Sequence, residues 1–205
     1  MRPVLAALLL GIPALPLAAQ AIDVDGLGFV SGAADAPVQV VEFSDFSCPF
    51  CKDFHQGTYQ TLHEGYIATG KVQWIYVTFA SGQYPNSFVA GAVVECAGEQ
   101  GHFEVVRDRL YEHQDDWKHV EPQEAGDFFL GLTEDLELDR AVFMDCVQSE
   151  RIGERIQRAS KLAASVGVKG TPTYVIDGFP AVGALPAEFI GPVLAARLAQ
   201  LGVGH

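Results

Sequence analysis

The stretch Val38-Gln39-Val40-Val41-Glu42-Phe43-Ser44-Asp45-Phe46-Ser47-Cys48-Pro49-Phe50-Cys51 decides how this chain folds. The run Val38 to Phe43 is mostly apolar and reads as a buried strand. Pro49 suits the first position of a helix, which places Cys48 at the N-cap. Unpaired backbone N–H groups and the positive end of the helix dipole favour a thiolate there. The thiolate is the reactive form of cysteine. Cys51, one turn into the helix, reads as the covered, resolving thiol. Two thiols at this spacing can close a small disulfide and reopen it.

Working outward, the helix that opens at Pro49 runs to about Ile67, with Gly57 as a weak point. Val72-Gln73-Trp74-Ile75-Tyr76-Val77-Thr78-Phe79 is β-branched and aromatic and reads as a second strand. Strand, helix and strand make a βαβ unit, so the two strands are expected to be parallel. The middle of the chain reads as helical. Segments are expected over Ser87–Ala97, His102–His113, Glu121–Leu130, a helix capped by Asp139, and Ser149–Ser165. In the last of these, Arg151, Arg155, Arg158 and Lys161 read as largely outward, with the arginines alternating with Glu150 and Glu154 in a salt-bridged face. After Gly170, Thr173–Ile176 and Phe179–Val182 flank Asp177-Gly178, a two-residue hairpin signal. Pro180 suggests that the second hairpin strand lies at a sheet edge. Pro186 to Leu201 reads as a closing helix.

The chain has 205 residues, 49% of them hydrophobic, and a formal net charge of −13. That charge disfavours nucleic acid and anionic lipid as partners. Met1-Arg2-Pro3, the apolar run Val4 to Leu17 and Ala19-Gln20-Ala21 together read as a cleaved signal peptide over residues 1–21. Export to a periplasmic or extracellular space is expected from it, and there disulfides persist. Residues 22–37, rich in Gly, Ala and Asp, read as an extended lead-in. The six histidines show no metal-ligand spacing and read as mostly solvated.

At these residues the chain resembles the DsbA-like thiol–disulfide oxidoreductases of the thioredoxin superfamily. The resemblance rests on Val41 to Cys51, on the helical middle, and on Gly167-Val168-Lys169-Gly170-Thr171-Pro172-Thr173. It implies an α/β thioredoxin fold over residues 38–83 and 168–205, with a helical domain inserted over 84–167. It also implies a cis peptide bond at Pro172, with Thr171 and Pro172 facing Cys48 and pairing with an extended substrate backbone. Pro49 and Phe50 join them on the substrate side. Read from residues alone, Glu42 either faces solvent at an edge or is buried. The resemblance places it beneath Cys51 as a proton-transfer group, where burial is expected to raise its pKa. Phe50 departs from the histidine of enteric-type enzymes. A weaker stabilisation of the Cys48 thiolate, and hence a moderate oxidant, is expected.

Cys96 and Cys146 are expected to lie on helices of the insertion. Some DsbA-like proteins carry a second disulfide in this lobe, and the oxidising compartment favours that reading over two free buried thiols. A zinc site of four cysteines is disfavoured by spacing. The expected function is an exported oxidase that passes disulfides to folding proteins through Cys48–Cys51, without metal or diffusible cofactor. The resemblance implies a membrane reoxidase of the DsbB or VKOR type. Alternatives are a disulfide isomerase or reductase, or a non-catalytic chaperone module. The short lead-in has no room for the dimerisation domain of isomerases, so a monomer is expected.

Overall fold

The computed structural model describes residues 22–203. The expected signal peptide therefore lies outside the described residues. Five strands form one sheet in the order β1-β3-β2-β4-β5. β2 (Val38–Ser44) and β3 (Val72–Thr78) are parallel, with Val38 opposite Val72 and Glu42 opposite Tyr76. β4 (Thr173–Ile176) pairs antiparallel with β2, and β5 (Phe179–Val182) with β4. Asp177 and Gly178 between them have φ of 45° and 88°. Two positive φ values make the turn that matches strand twist, and glycine adopts one without strain.

β1 (Gly28–Ser31) falls inside the stretch read as an extended lead-in. It pairs antiparallel with β3 and closes that edge of the sheet. Glycine and a four-residue length hide such a strand, because its pairing partner rather than its own propensity forms it. Gly28 is required by contact: a Cβ there would meet Ile75 Cγ2 at 2.5 Å.

Between β2 and β3 the chain is helical over 49–67, but not uniformly. α1 (Pro49–Asp53) and α2 (Gln60–Leu62) are joined and followed by π-helical turns at Phe54–Tyr59 and His63–Ile67. Gly57 lies in the first of these turns. Helices α3 (Ser87–Gly98), α4 (Phe103–Glu112), α5 (Gln114–Trp117), α6 (Pro122–Gly131), α7 (Arg140–Gln148) and α8 (Glu150–Ser165) fill the chain between β3 and β4. Asp139 caps α7, accepting from the backbone N–H groups of Ala141 and Val142. α9 (Ala187–Gln200) closes the order.

Alternate residues of β2 face two different cores, as strand geometry requires. Val38 and Val40 pack with Phe54, Tyr59, Leu62, Trp74, Ile190 and Leu194. Val41 and Phe43 pack with Ile75, Val77, Ala159 and Ala163. A third cluster fills the helical region around Val94, Cys96, Leu110, Trp117, Phe129 and Phe143. Burying each of the Val, Leu, Ile and Phe side chains among these contributes about 1.5–3 kcal/mol. Glu42 and Ser44 continue the first face of β2 into this apolar interior.

The α8 arginines differ from the expected pattern. Arg155 Nε meets the buried Glu95 at 2.9 Å, and Arg151 meets Glu99. Glu95 lies in α3 and Glu99 is its C-cap, so neither partner is Glu150 or Glu154. The ion pairs therefore join α8 to α3 rather than decorate one exposed face.

Candidate active site

β2 ends at Ser44, and the chain must turn before α1 begins. Asp45, fully buried, organises that turn. Its carboxylate accepts the Ser47 backbone N–H at 2.9 Å and the Ser81 backbone N–H at 2.8 Å. The Ser87 hydroxyl at the start of α3 also donates to it. Its own carbonyl accepts the Cys48 N–H at 3.0 Å. Gln114 of α5 donates to the carbonyls of Phe46 and Cys48, at 2.7 and 3.0 Å. These bonds reach the turn from separate parts of the helical region, so the cysteine loop is held from several sides.

The turn delivers Cys48 as N-cap in extended conformation, with Pro49 in the first helical turn. Cys48 is 9% exposed and Cys51 is fully buried, and both are free thiols. A hydrogen bond from Cys51 and the backbone N–H groups of Cys51 and Phe50 lower the Cys48 pKa to about 6, against the opposing effect of burial. Cys51 moves the other way. Burial pushes it up, and the neighbouring Cys48 sulfur pushes it further. One thiol is thus made nucleophilic and the other is kept protonated.

Thr171 and Pro172 stand beside Cys48. The Cys48 Sγ lies 3.3 Å from the Thr171 carbonyl oxygen, and the Thr171–Pro172 peptide bond is cis. Phe50 is 61% exposed, whereas Phe46 is buried. Phe46 stacks against Tyr76.

Glu42 is fully buried in the sheet interior, not at an edge. Three donors surround its carboxylate. The Ser44 hydroxyl donates to Oε1, His55 Nε2 lies 3.0 Å from the same oxygen, and the Trp74 indole N–H donates to Oε2 at 2.7 Å. Burial alone would raise the Glu42 pKa, as expected from the sequence. The charge of His55 and the bonds from His55, Ser44 and Trp74 outweigh it, and the net direction is downward. The expected upward shift is corrected on that ground: the pocket is polar inside an apolar shell.

Ser44 and His55 escaped the sequence reading. Ser44 was readable from strand period, since it shares a face with Glu42. His55 follows Cys51 by four residues, one helical turn, and so lies on the same inner face. It is buried, unlike the mostly solvated state expected of the histidines. Only His119 of the others among the described residues is exposed, with His63, His102 and His113 half-buried.

Cys96 of α3 and Cys146 of α7 form a disulfide with an S–S distance of 2.00 Å. Among the described residues, no group of three or more His, Cys, Asp or Glu is placed to hold a metal ion. No helix among them is long and apolar enough to cross a membrane.

A thioredoxin family model matches residues 25–188. The chain is 29% identical over 150 residues to a probable disulfide bond formation protein D of Bacillus anthracis, covering 72% of this chain and 68% of that one. It is 30% identical to the Na(+)/H(+) antiporter NhaA 1 of Salinispora arenicola, covering 73% of this chain but only 21% of the antiporter. In structure it is similar to alpha-DsbA1 of Wolbachia pipientis, with a TM-score of 0.73 at 18% identity, covering 85% of this chain and 94% of the other.

Proposed function

The chain belongs to the thioredoxin family, in its DsbA-like branch of thiol–disulfide oxidoreductases, and from that premise we propose that it introduces disulfides into exported proteins. The opposed settings of Cys48 and Cys51 carry this reading. In the oxidised enzyme, a substrate thiolate attacks Cys48 Sγ. The Cys48–Cys51 bond breaks, a mixed disulfide forms, and the electron pair leaves on Cys51. A second substrate thiolate then attacks the mixed disulfide and releases Cys48 as a thiolate. The helix N-terminus that stabilises this leaving thiolate drives the transfer toward the substrate.

The remaining roles follow from position. Thr171 and Pro172, beside Cys48, offer backbone for pairing with an extended substrate segment, which gives affinity with little side-chain demand. Pro49 and the exposed Phe50 border the same side and supply apolar contact. Glu42 exchanges a proton with Cys51 on the opposite side. Residues 84–167 serve as an inserted helical domain that braces the cysteine loop through Ser87 and Gln114. The working compartment is periplasmic or extracellular, the protein acts as a monomer, and a membrane reoxidase of the DsbB or VKOR type restores its disulfide. The chemistry resides in the cysteine pair, without a metal or organic cofactor.

Trapping tests the central role assignment. Cys51→Ser, mixed with a peptide carrying an activated disulfide, is expected to accumulate a mixed disulfide at Cys48, read by intact mass. No adduct at Cys48 would overturn the assignment.

A further inference from the structure

Cys51 faces a supply problem that Cys48 does not. Each time the active disulfide opens, a thiolate is born at Cys51 in a setting that disfavours charge, while substrate covers the Cys48 side. Its proton must arrive from elsewhere. The described residues provide a chain of groups leading away from the substrate side. The Ser44 hydroxyl donates to Glu42 Oε1, and Ser44 is also near enough to the Cys51 sulfur to lower its pKa against the effect of burial. Glu42 Oε1 in turn meets His55 Nε2 at 3.0 Å. The second ring nitrogen of His55, Nδ1, is buried without a hydrogen-bond partner among the described residues. His55 also lines a cleft of about 290 Å³, together with Gln56, Gln60, Asp108, Tyr111 and Glu112.

We propose that Ser44, Glu42 and His55 form a rear proton relay that connects Cys51 to the Asp108–Glu112 cleft, so that protons reach the buried thiolate while substrate occupies the front of the site. This rests on the oxidoreductase reading above and adds to it two residues and a route. The step balances. When the Cys48–Cys51 bond breaks, the Cys51 thiolate takes the Ser44 hydroxyl proton. Ser44 takes a proton from the Glu42–His55 pair, and His55 is reloaded from the cleft. Oxidation of the enzyme runs the same transfers backwards.

The surroundings leave few competitors. Glu42 from β2, Tyr76 from β3 and Tyr111 from α4 face the His55 ring, with Tyr59 from its own helix. Arg107 covers the Tyr59 ring from α4 and keeps its charge at all working pH values. Burial pushes the Tyr76 and Tyr111 phenols well above the ordinary tyrosine range, so neither gives up its proton near neutrality. The cleft residues Asp108 and Glu112 are exposed, with Asp108 paired to Arg107 at 2.8 Å, so the cleft opens to water.

The test is the rate at which a small dithiol reduces the oxidised enzyme, followed by tryptophan fluorescence across pH 5 to 9. Wild type is measured first; if it does not exchange, the enzyme reading itself fails. Given exchange, Ser44→Ala is expected to slow reduction about 10-fold or more, in line with loss of a proton-transfer group, and Ser44→Thr to restore it. His55→Ala is expected to show a comparable loss, and added imidazole is expected to restore the rate saturably through the cleft. His55→Gln keeps a donor for Glu42 and the packing, but carries no proton; it is expected to remain slow. Normal rates in Ser44→Ala and His55→Gln would overturn the relay. A slow His55→Ala that imidazole does not restore would overturn the cleft as its mouth.

Discussion

Cys48 and Cys51 lie three positions apart and stand as thiols, while Cys96 and Cys146 lie 50 positions apart and are joined. What separates the two pairs is their setting. At the first pair, the start of α1 aims backbone N–H groups at Cys48, so a charged sulfur is welcome there and opening the disulfide is favoured. At the second pair, Cys96 sits in the interior of α3, within the same buried cluster as Val93, Val94, Ala97 and Phe143, and not at a helix N-cap as Cys48 does. Arg151 Nη2 reaches Cys146 Sγ at 3.5 Å, but the Glu99 carboxylate stands 3.6 Å from the same sulfur and offsets it. One region is built to exchange a disulfide and the other to keep one.

Removing the closed pair should separate the two regions most visibly. Cys96→Ala with Cys146→Ala frees a 50-residue loop in the unfolded chain. The chain-entropy relation puts the cost at about 4 kcal/mol. Denaturant midpoints should fall accordingly, while the Cys48 exchange rate stays within about twofold of wild type. An exchange rate that collapses in a folded double variant would break the separation.

A smaller effect sharpens the contrast at Cys48. Alkylation of the reduced enzyme should follow a titration with a midpoint near pH 6. Because folding lowers this pKa from about 8.5, the associated stabilisation is complete above the unfolded value and is lost as pH falls through about 6. The stability advantage of reduced over oxidised protein should therefore shrink between pH 9 and pH 5. Phe50→His adds a donor beside the thiolate at an exposed position, and should lower the alkylation midpoint by about one unit with little change in stability. An unchanged midpoint would mean that residue 50 does not reach the sulfur.

What could be read from the sequence follows a physical boundary. β2, β3, the Asp177-Gly178 hairpin and the long helices each carry their signal within ten or so neighbouring residues, and their positions agree with the structure. β1 and α5 do not. The first exists because β3 offers an open edge, and the second is four residues whose Gln114 is fixed by carbonyls 66 and 68 positions away. The acidic residue at the site was legible as a charge inside an apolar strand, but its three donors were only partly so. Ser44 and His55 follow from strand and helix period, while the Trp74 bond depends on the parallel register of two strands. The direction of the Glu42 shift depends on all three donors, so it could not be read from Glu42 alone. The α8 arginines fail similarly: in-helix spacing suggested Glu150 and Glu154, and tertiary packing supplied Glu95 and Glu99.

The central claim is that one cysteine pair is poised for exchange and the other is held shut, and their reduction potentials test it directly. The protein is equilibrated in glutathione buffers, and each pair is read by differential alkylation and mass. The Cys48–Cys51 potential is expected between the strongly oxidising DsbA value of about −120 mV and the thioredoxin value of about −270 mV, with Cys96–Cys146 closed throughout that range. A Cys48–Cys51 potential at or beyond either bound, or a Cys96–Cys146 bond that opens first, would contradict it.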